Sequence, residues 1–141
     1  LSPATSTGLP EQVKKIRVLV IDDDKLIIRG LRRAFECAGT FEVQFAYDGL
    51  SAELKFNEFE PDVVIIDYKM PAMKGDVLIK RLNIHNIFHR IGRAPRVIVY
   101  SGNLSRENEK HFRKLGVTAC MDKSMDVDEL IRYVKKIVVQ G

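Results

Sequence analysis

Residues 16–24 read IRVLVIDDD, a nearly unbroken β-branched and leucine run from Ile16 to Ile21 that ends on three consecutive carboxylates, Asp22, Asp23 and Asp24. A strand with one wet face alternates apolar and polar residues. A run that is apolar at almost every position predicts instead a strand covered on both faces, the signature of a parallel sheet. Downstream, Ile27, Ile28, Leu31, Ala34 and Phe35 fall at helical spacing between about Lys25 and Ala38, and Gly39 stops that helix.

The same alternation continues along the chain. Phe41 to Ala46 predicts a short strand, and Asp48 with Gly49 opens a helix carrying Leu50, Ala52, Leu54 and Phe56. Val63 to Ile66 is a third buried strand ending at Asp67, followed by a loop with Pro71 and Gly75 and a helix from about Asp76 whose apolar stripe is Val77, Leu78 and Leu82. Arg96 to Tyr100 is the fourth strand, a polar helix spans about Ser105 to Leu115 before Gly116, and Val117 to Met121 is the fifth strand. Asp126 with Glu129 three residues later starts the last helix, which buries Val127, Leu130, Ile131, Val134 and Val138.

Five strands each followed by a helix imply an α/β fold with a doubly wound, five-stranded parallel sheet and helices on both faces. The flavodoxin-like strand order 2-1-3-4-5 suits this size. Residues 1–12, rich in Ser, Thr, Pro and Gly, predict a disordered linker, and residues 13–141 a single domain.

Composition narrows the function classes. The 141 residues are 45% apolar, enough for a core without disulfides or structural metal, and Cys37 and Cys120 have no zinc-ligand or CxxC spacing. A cytoplasmic setting is expected, with no membrane insertion, since no apolar run approaches bilayer length. The net charge of +4 is spread over helix faces without a recognition motif, so no direct nucleic-acid binding by this domain is expected.

In open parallel sheets ligands sit beyond the carboxyl ends of the strands. There the chain places Asp22, Asp23 and Asp24 after the first strand, Asp67 after the third, Ser101 after the fourth and Lys123 after the fifth. Crowded carboxylates repel, and a hard divalent cation such as Mg2+, which takes carboxylate, carbonyl and water oxygens, is the simplest compensation. Asp67, held at the end of a buried strand, is a nucleophile candidate toward a phosphoryl donor. The Lys123 ammonium and the Ser101 hydroxyl can meet phosphoryl oxygens.

With these residues in view, the chain resembles a response-regulator receiver domain from about Lys15 to Val139. The resemblance rests on VLVIDDDKLI at Val18 to Ile27, PDVVIIDYKMPAMKG at Pro61 to Gly75, VIVYSG at Val97 to Gly102, and Lys123 after GVTACMD. It implies that Asp67 is the phospho-acceptor and that Mg2+ is held by Asp23 directly, Asp22 often through water, Asp67, and the Lys69 backbone carbonyl. Ser101 and Lys123 would sense and stabilise the phosphoryl group. The implied donor is a phosphohistidine on a sensor histidine kinase or a histidine phosphotransfer protein. An unidentified output partner would meet the surface of the fourth helix and fifth strand. On this reading the chain is not a turnover enzyme.

Two positions depart from that pattern. Cys120 stands where the family usually has an aromatic residue, so the readout is expected to run through other side chains or the domain to pass phosphate onward. Ser124 follows Lys123 where proline is usual, and because a non-proline cis bond costs about 3 kcal/mol, the expectation is a trans peptide with a locally altered loop, or else a strained cis bond kept for function. Lys69 and Asn103 occupy positions that influence phosphoryl lifetime in the family.

Other features have plainer readings. Asp24 reads as a helix cap or a solvent-facing acid, His85, His89 and His111 as surface polarity, and Arg90, Arg93 and Arg96 as solubilising charge. Two rival functions remain distinct. One is a phosphatase similar to the haloacid dehalogenase superfamily, with Asp22-x-Asp24 as its motif. The other is a degenerate receiver used only for binding.

Overall fold

The computed structural model describes residues 14–70, 74–89, 94–102 and 104–140. The expected linker over residues 1–12 and the readings of Pro71, Arg90, Arg93 and Asn103 lie outside these, as do the side chains of His85 and His89.

Strands and helices alternate throughout: β1 Ile16–Ile21, α1 Lys25–Ala38, β2 Phe41–Ala46, α2 Gly49–Phe59, β3 Val63–Ile66, α3 Gly75–His89, β4 Arg96–Ser101, α4 Arg106–Lys114, β5 Ala119–Asp122 and α5 Val127–Gln140. The strands form one parallel sheet in the order β2-β1-β3-β4-β5. This is the doubly wound order expected for the flavodoxin-like class.

Strand alternation divides the core into two halves. Leu19, Ile21, Val64, Ile66, Val97 and Val99 point to one face and are covered by Ala52, Phe56 and Phe59 of α2, Leu78, Ile79 and Leu82 of α3, and Phe112 of α4. Val18, Val20, Val63, Ile65, Ile98 and Tyr100 point to the other and meet Ile28, Leu31 and Phe35 of α1 and Leu130, Ile131, Val134 and Ile137 of α5. Each central strand is therefore apolar at successive residues because each face has its own helical layer.

Four details differ from the sequence expectation. In α5, Val127 and Val138 are only half-buried and Ile137 joins Leu130, Ile131 and Val134 in the core. In α2, Leu50 and Leu54 are exposed and Phe59 takes the core position instead. In α3, Val77 is exposed and Ile79 joins Leu78 and Leu82 inside. The fifth strand begins at Ala119 rather than Val117, since Val117 N–H donates to Phe112 O at 3.1 Å and so closes the end of α4. Val117 is buried in that turn, and apolar content alone does not separate it from a strand.

Helix starts follow local capping chemistry. The Asp24 carboxylate accepts from Leu26 and Ile27 N–H, Asp48 from Ser51 N–H, and Ser105 from Asn108 N–H. At the end of α1, Gly39 adopts φ 74°, a left-handed conformation that costs glycine little.

Candidate functional site

Sheet hydrogen bonds carry the candidate side chains to one edge. Asp22 N–H donates to Ala46 O at 3.0 Å, Asp67 N–H to Ile21 O at 2.9 Å, and Lys123 N–H to Ser101 O at 3.1 Å. Each residue is the first beyond its strand, yet its backbone is still held by the neighbouring strand. The side chains leave a rigid frame rather than a free loop.

The polar groups then meet. Lys123 Nζ lies 2.9 Å from Asp22 Oδ2 and 3.3 Å from Asp67 Oδ2. Ser101 Oγ donates to Asp67 Oδ1 at 2.7 Å, and Lys69 N–H donates to the same oxygen at 3.3 Å. Asp22 Oδ1 accepts from Asp24 N–H at 2.9 Å. Asp22, Asp67 and Ser101 are the buried polar residues among those described, at 2%, 5% and 0% exposure, whereas Asp23 is exposed.

One carboxylate oxygen each from Asp22, Asp23 and Asp67 lies within 4.8 Å of the others. Hard oxygen donors this close, one of them facing solvent, fit a divalent cation with water completing its shell. Asp24 is not in this group, since its carboxylate caps α1. The Asp22-x-Asp24 motif of the phosphatase reading therefore does not converge on one point.

Burial and pairing compete in the charges. Burial is the main cause that pushes the Asp22 carboxyl above its usual range, aided by the charge of Asp67 and opposed by Asp24 N–H and Lys123. For Lys123, burial acts to lower the ammonium's pKa, but the hydrogen bonds and charges of Asp22 and Asp67 outweigh it and raise the value above the usual 10.5. Both partners move upward for different reasons: the ammonium is raised by the two carboxylates it faces, whereas Asp22 is raised chiefly by burial.

Two further contributors lie inside the quoted motif stretches, yet their roles show only in the structure. A Cβ on Gly75 would stand 3.0 Å from both Asp67 O and Tyr68 Cα, so glycine lets the start of α3 close onto the segment leaving β3. Gly75 N–H donates to Tyr68 O at 3.0 Å in that close approach. Tyr100, read only as a strand residue, has a hydroxyl directed at the carbonyls of Lys123 and Met125. A tyrosine in an otherwise aliphatic run was the available signal, because a buried phenol needs a partner.

The departures at β5 have local consequences. Cys120 is half-buried beside the α2–α4 core, and burial, with Glu109 adding and Arg113 opposing, pushes its thiol up. No cis peptide occurs among the described residues, so the Lys123–Ser124 bond is trans, the first of the two alternatives. Ser124 N–H donates to Asp122 Oδ1 at 2.9 Å and Met125 N–H to Asp122 O at 2.9 Å, a turn that a proline at 124 could not form in the same way.

The sequence profile described as "Response regulator receiver domain" matches residues 18–135. The transcriptional regulatory protein DegU of Brevibacillus brevis is 33% identical over 136 residues, covering 93% of this chain and 54% of DegU. A protein-glutamate methylesterase/protein-glutamine glutaminase of Bdellovibrio bacteriovorus is 29% identical over 131 residues, covering 90% of this chain and 35% of that protein. The chain thus spans about half, or less, of these curated relatives. The solved receiver domain of the Francisella response regulator 1452 superposes with a TM-score of 0.78 at 32% identity, covering 89% of this chain and 98% of that one.

Proposed function

The chain belongs to the response-regulator receiver domain family, and from that premise we propose that Asp67 is its phospho-acceptor, with Ser101 and Lys123 as the groups that attend the phosphoryl oxygens. The observation that carries this is the convergence on one buried carboxylate of a hydroxyl at 2.7 Å and an ammonium at 3.3 Å. Receiver domains take phosphoryl groups from histidine kinases or phosphotransfer proteins, and the same class of partner is proposed here.

In the proposed transfer, an Asp67 carboxylate oxygen forms a bond to phosphorus as the bond from phosphorus to the donor imidazole nitrogen breaks. The electron pair of the broken bond stays on the imidazole, which takes up a proton. Burial limits the orientations of Asp67, and Ser101 and Lys69 N–H fix one of its oxygens so that the carboxylate is pre-aligned. Lys123 supplies positive charge where negative charge gathers during transfer.

The family typically uses Mg2+, and Asp22, Asp23 and Asp67, with the Lys69 carbonyl, are the proposed ligands. When bound, the cation neutralises charge on the carboxylates and phosphoryl oxygens. The domain is proposed to accept and release phosphate rather than to turn over a substrate. Activities such as the esterase named for one relative would belong to other parts of a longer protein. No helix among the described residues is long and apolar enough to cross a membrane, and a cytoplasmic setting is proposed on the family's usual role. Nucleic-acid binding is not assigned to this domain, and an output on DNA through other segments of a longer protein is compatible with relatives such as DegU.

Intact mass after incubation with a small-molecule acyl phosphate and Mg2+ tests the reading. One added phosphate is expected on the wild type and none on Asp67→Asn. An unmodified wild type would favour a receiver that only binds, and steady release of phosphate from an ester substrate would favour the phosphatase.

A further inference from the structure

Lys123 can serve Asp67 only if the turn from Asp122 to Met125 holds its backbone in place. That turn is edged by solvent, with Asp122 and Ser124 exposed and Lys123 and Met125 half-buried. Tyr100 approaches it from the interior. Its ring is 3% exposed and packs in the core half that contains Leu130 and Ile131 of α5. Its hydroxyl lies 3.5 Å from Lys123 O and 3.4 Å from Met125 O, a forked contact spanning the Ser124 peptide from beneath.

Resting on the reading of Asp67 as phospho-acceptor, we propose that Tyr100 is a positioning residue for Lys123: the core fixes its ring, and its hydroxyl holds the turn that presents the ammonium to Asp22 and Asp67. Adjacent residues of β4 then serve the acceptor from opposite faces of the sheet. Ser101 touches Asp67 directly, and Tyr100 acts through Lys123. Register supports the division, because Tyr100 and Ser101 pair with Met121 and Asp122, the residues leading into the turn. Burial also raises the phenol's pKa above its usual 10.0, keeping the proton that it donates. A lysine stem is long and flexible, so its amine is held near two carboxylates only when its Cα is fixed, and small misplacements of such groups are costly in rate.

Tyr100→Phe removes the hydroxyl and leaves the ring that fills the core. With an acyl phosphate donor and Mg2+, the variant is expected to take up phosphate about twofold to fivefold more slowly, the effect of losing one weak neutral hydrogen bond. In a Lys123→Met background the same change is expected to slow uptake no further, because the group being positioned is gone. Amide hydrogen exchange at residues 123–125 is expected to quicken in Tyr100→Phe and decides the holding role independently of rate. Equal uptake by wild type and Tyr100→Phe, equal slowing with and without the Lys123 amine, or unchanged exchange in the turn would each overturn the proposal. If the wild type takes no phosphate, the acceptor reading and this inference fall together, whereas a reactive wild type matched by Tyr100→Phe removes the inference alone.

Discussion

Lys123→Met offers the sharpest test of the site's electrostatics, since methionine keeps much of the apolar stem and removes the charge. The ammonium lies 2.9 Å from one buried carboxylate and 3.3 Å from another. At an effective dielectric of about 20, each contact carries roughly 5 kcal/mol of gross attraction. Most of that repays desolvation, and truncating one partner of a buried pair costs about 3–5 kcal/mol net. The Lys123 side chain is 20% exposed, which brings the expected loss to about 2–3 kcal/mol. For a chain of this size that lowers the melting temperature by about 10 °C. The assay is thermal unfolding in EDTA and in Mg2+. A cation at a hundred times its Kd stabilises the fold by about 2.7 kcal/mol. Because it would compensate the same carboxylates that Lys123 compensates, it should rescue the variant more than the wild type, closing at least half the gap. A gap of equal size with and without Mg2+ would refute the view that ammonium and cation share the same acids.

Three further outcomes can be checked alongside it. Asp24→Ala should cost about 1 kcal/mol in urea unfolding, the usual loss for an N-cap, and leave phosphate uptake unchanged; a large loss of uptake would return Asp24 to the reactive centre. Gly75→Ala should destabilise by about 1–3 kcal/mol, because the Cβ would meet backbone atoms at 3.0 Å and the start of α3 must shift away from Asp67; an unaltered urea midpoint would show that the approach is not tight. Alkaline stability has a definite sign. The folded state holds the Lys123 proton more tightly than the unfolded chain, so this contribution is complete below the ordinary value of 10.5 and lost as pH rises through the higher folded value. Tyr100 acts in the same direction above its ordinary 10.0, so the Lys123 share is read as the difference between wild type and Lys123→Met, and parallel pH curves for the two would contradict it.

Much of this architecture is legible in the sequence because its strongest signals are physical necessities. A strand covered on both faces has to be apolar at successive positions, and Val18–Ile21, Val63–Ile66 and Val97–Tyr100 are. Strand-end acids in such a sheet have to share one edge, and Asp22, Asp23 and Asp67 do. What escapes is whatever depends on a neighbour distant in sequence. Leu50 and Leu54 are as apolar as Phe56 and Phe59, but only the packing of α2 on the sheet shows which pair is buried. Gly75 resembles any loop glycine until Asp67 O is found against it. The partner of the Tyr100 hydroxyl is fixed by a turn more than twenty residues away.

The site's charges also account for its graded exposure. Among the described residues, Asp22, Asp23 and Asp67 bring three negative charges against the one positive charge of Lys123, leaving two uncompensated. Burying all three acids would make that excess very costly, while exposing all three would surrender control over the orientation of Asp67, the proposed acceptor. The fold divides the roles: Asp67 and Asp22 are buried with Lys123 and hydrogen-bond donors as partners, and Asp23 stays in solvent. A site left two charges short would be matched in charge by one divalent cation, and its exposed acid would give the proposed hydrated ion a route in. Neutralising Asp23 should therefore weaken cation binding while disturbing the metal-free fold little, whereas neutralising Asp22 should disturb both, because Asp22 also holds Lys123 and Asp24 N–H.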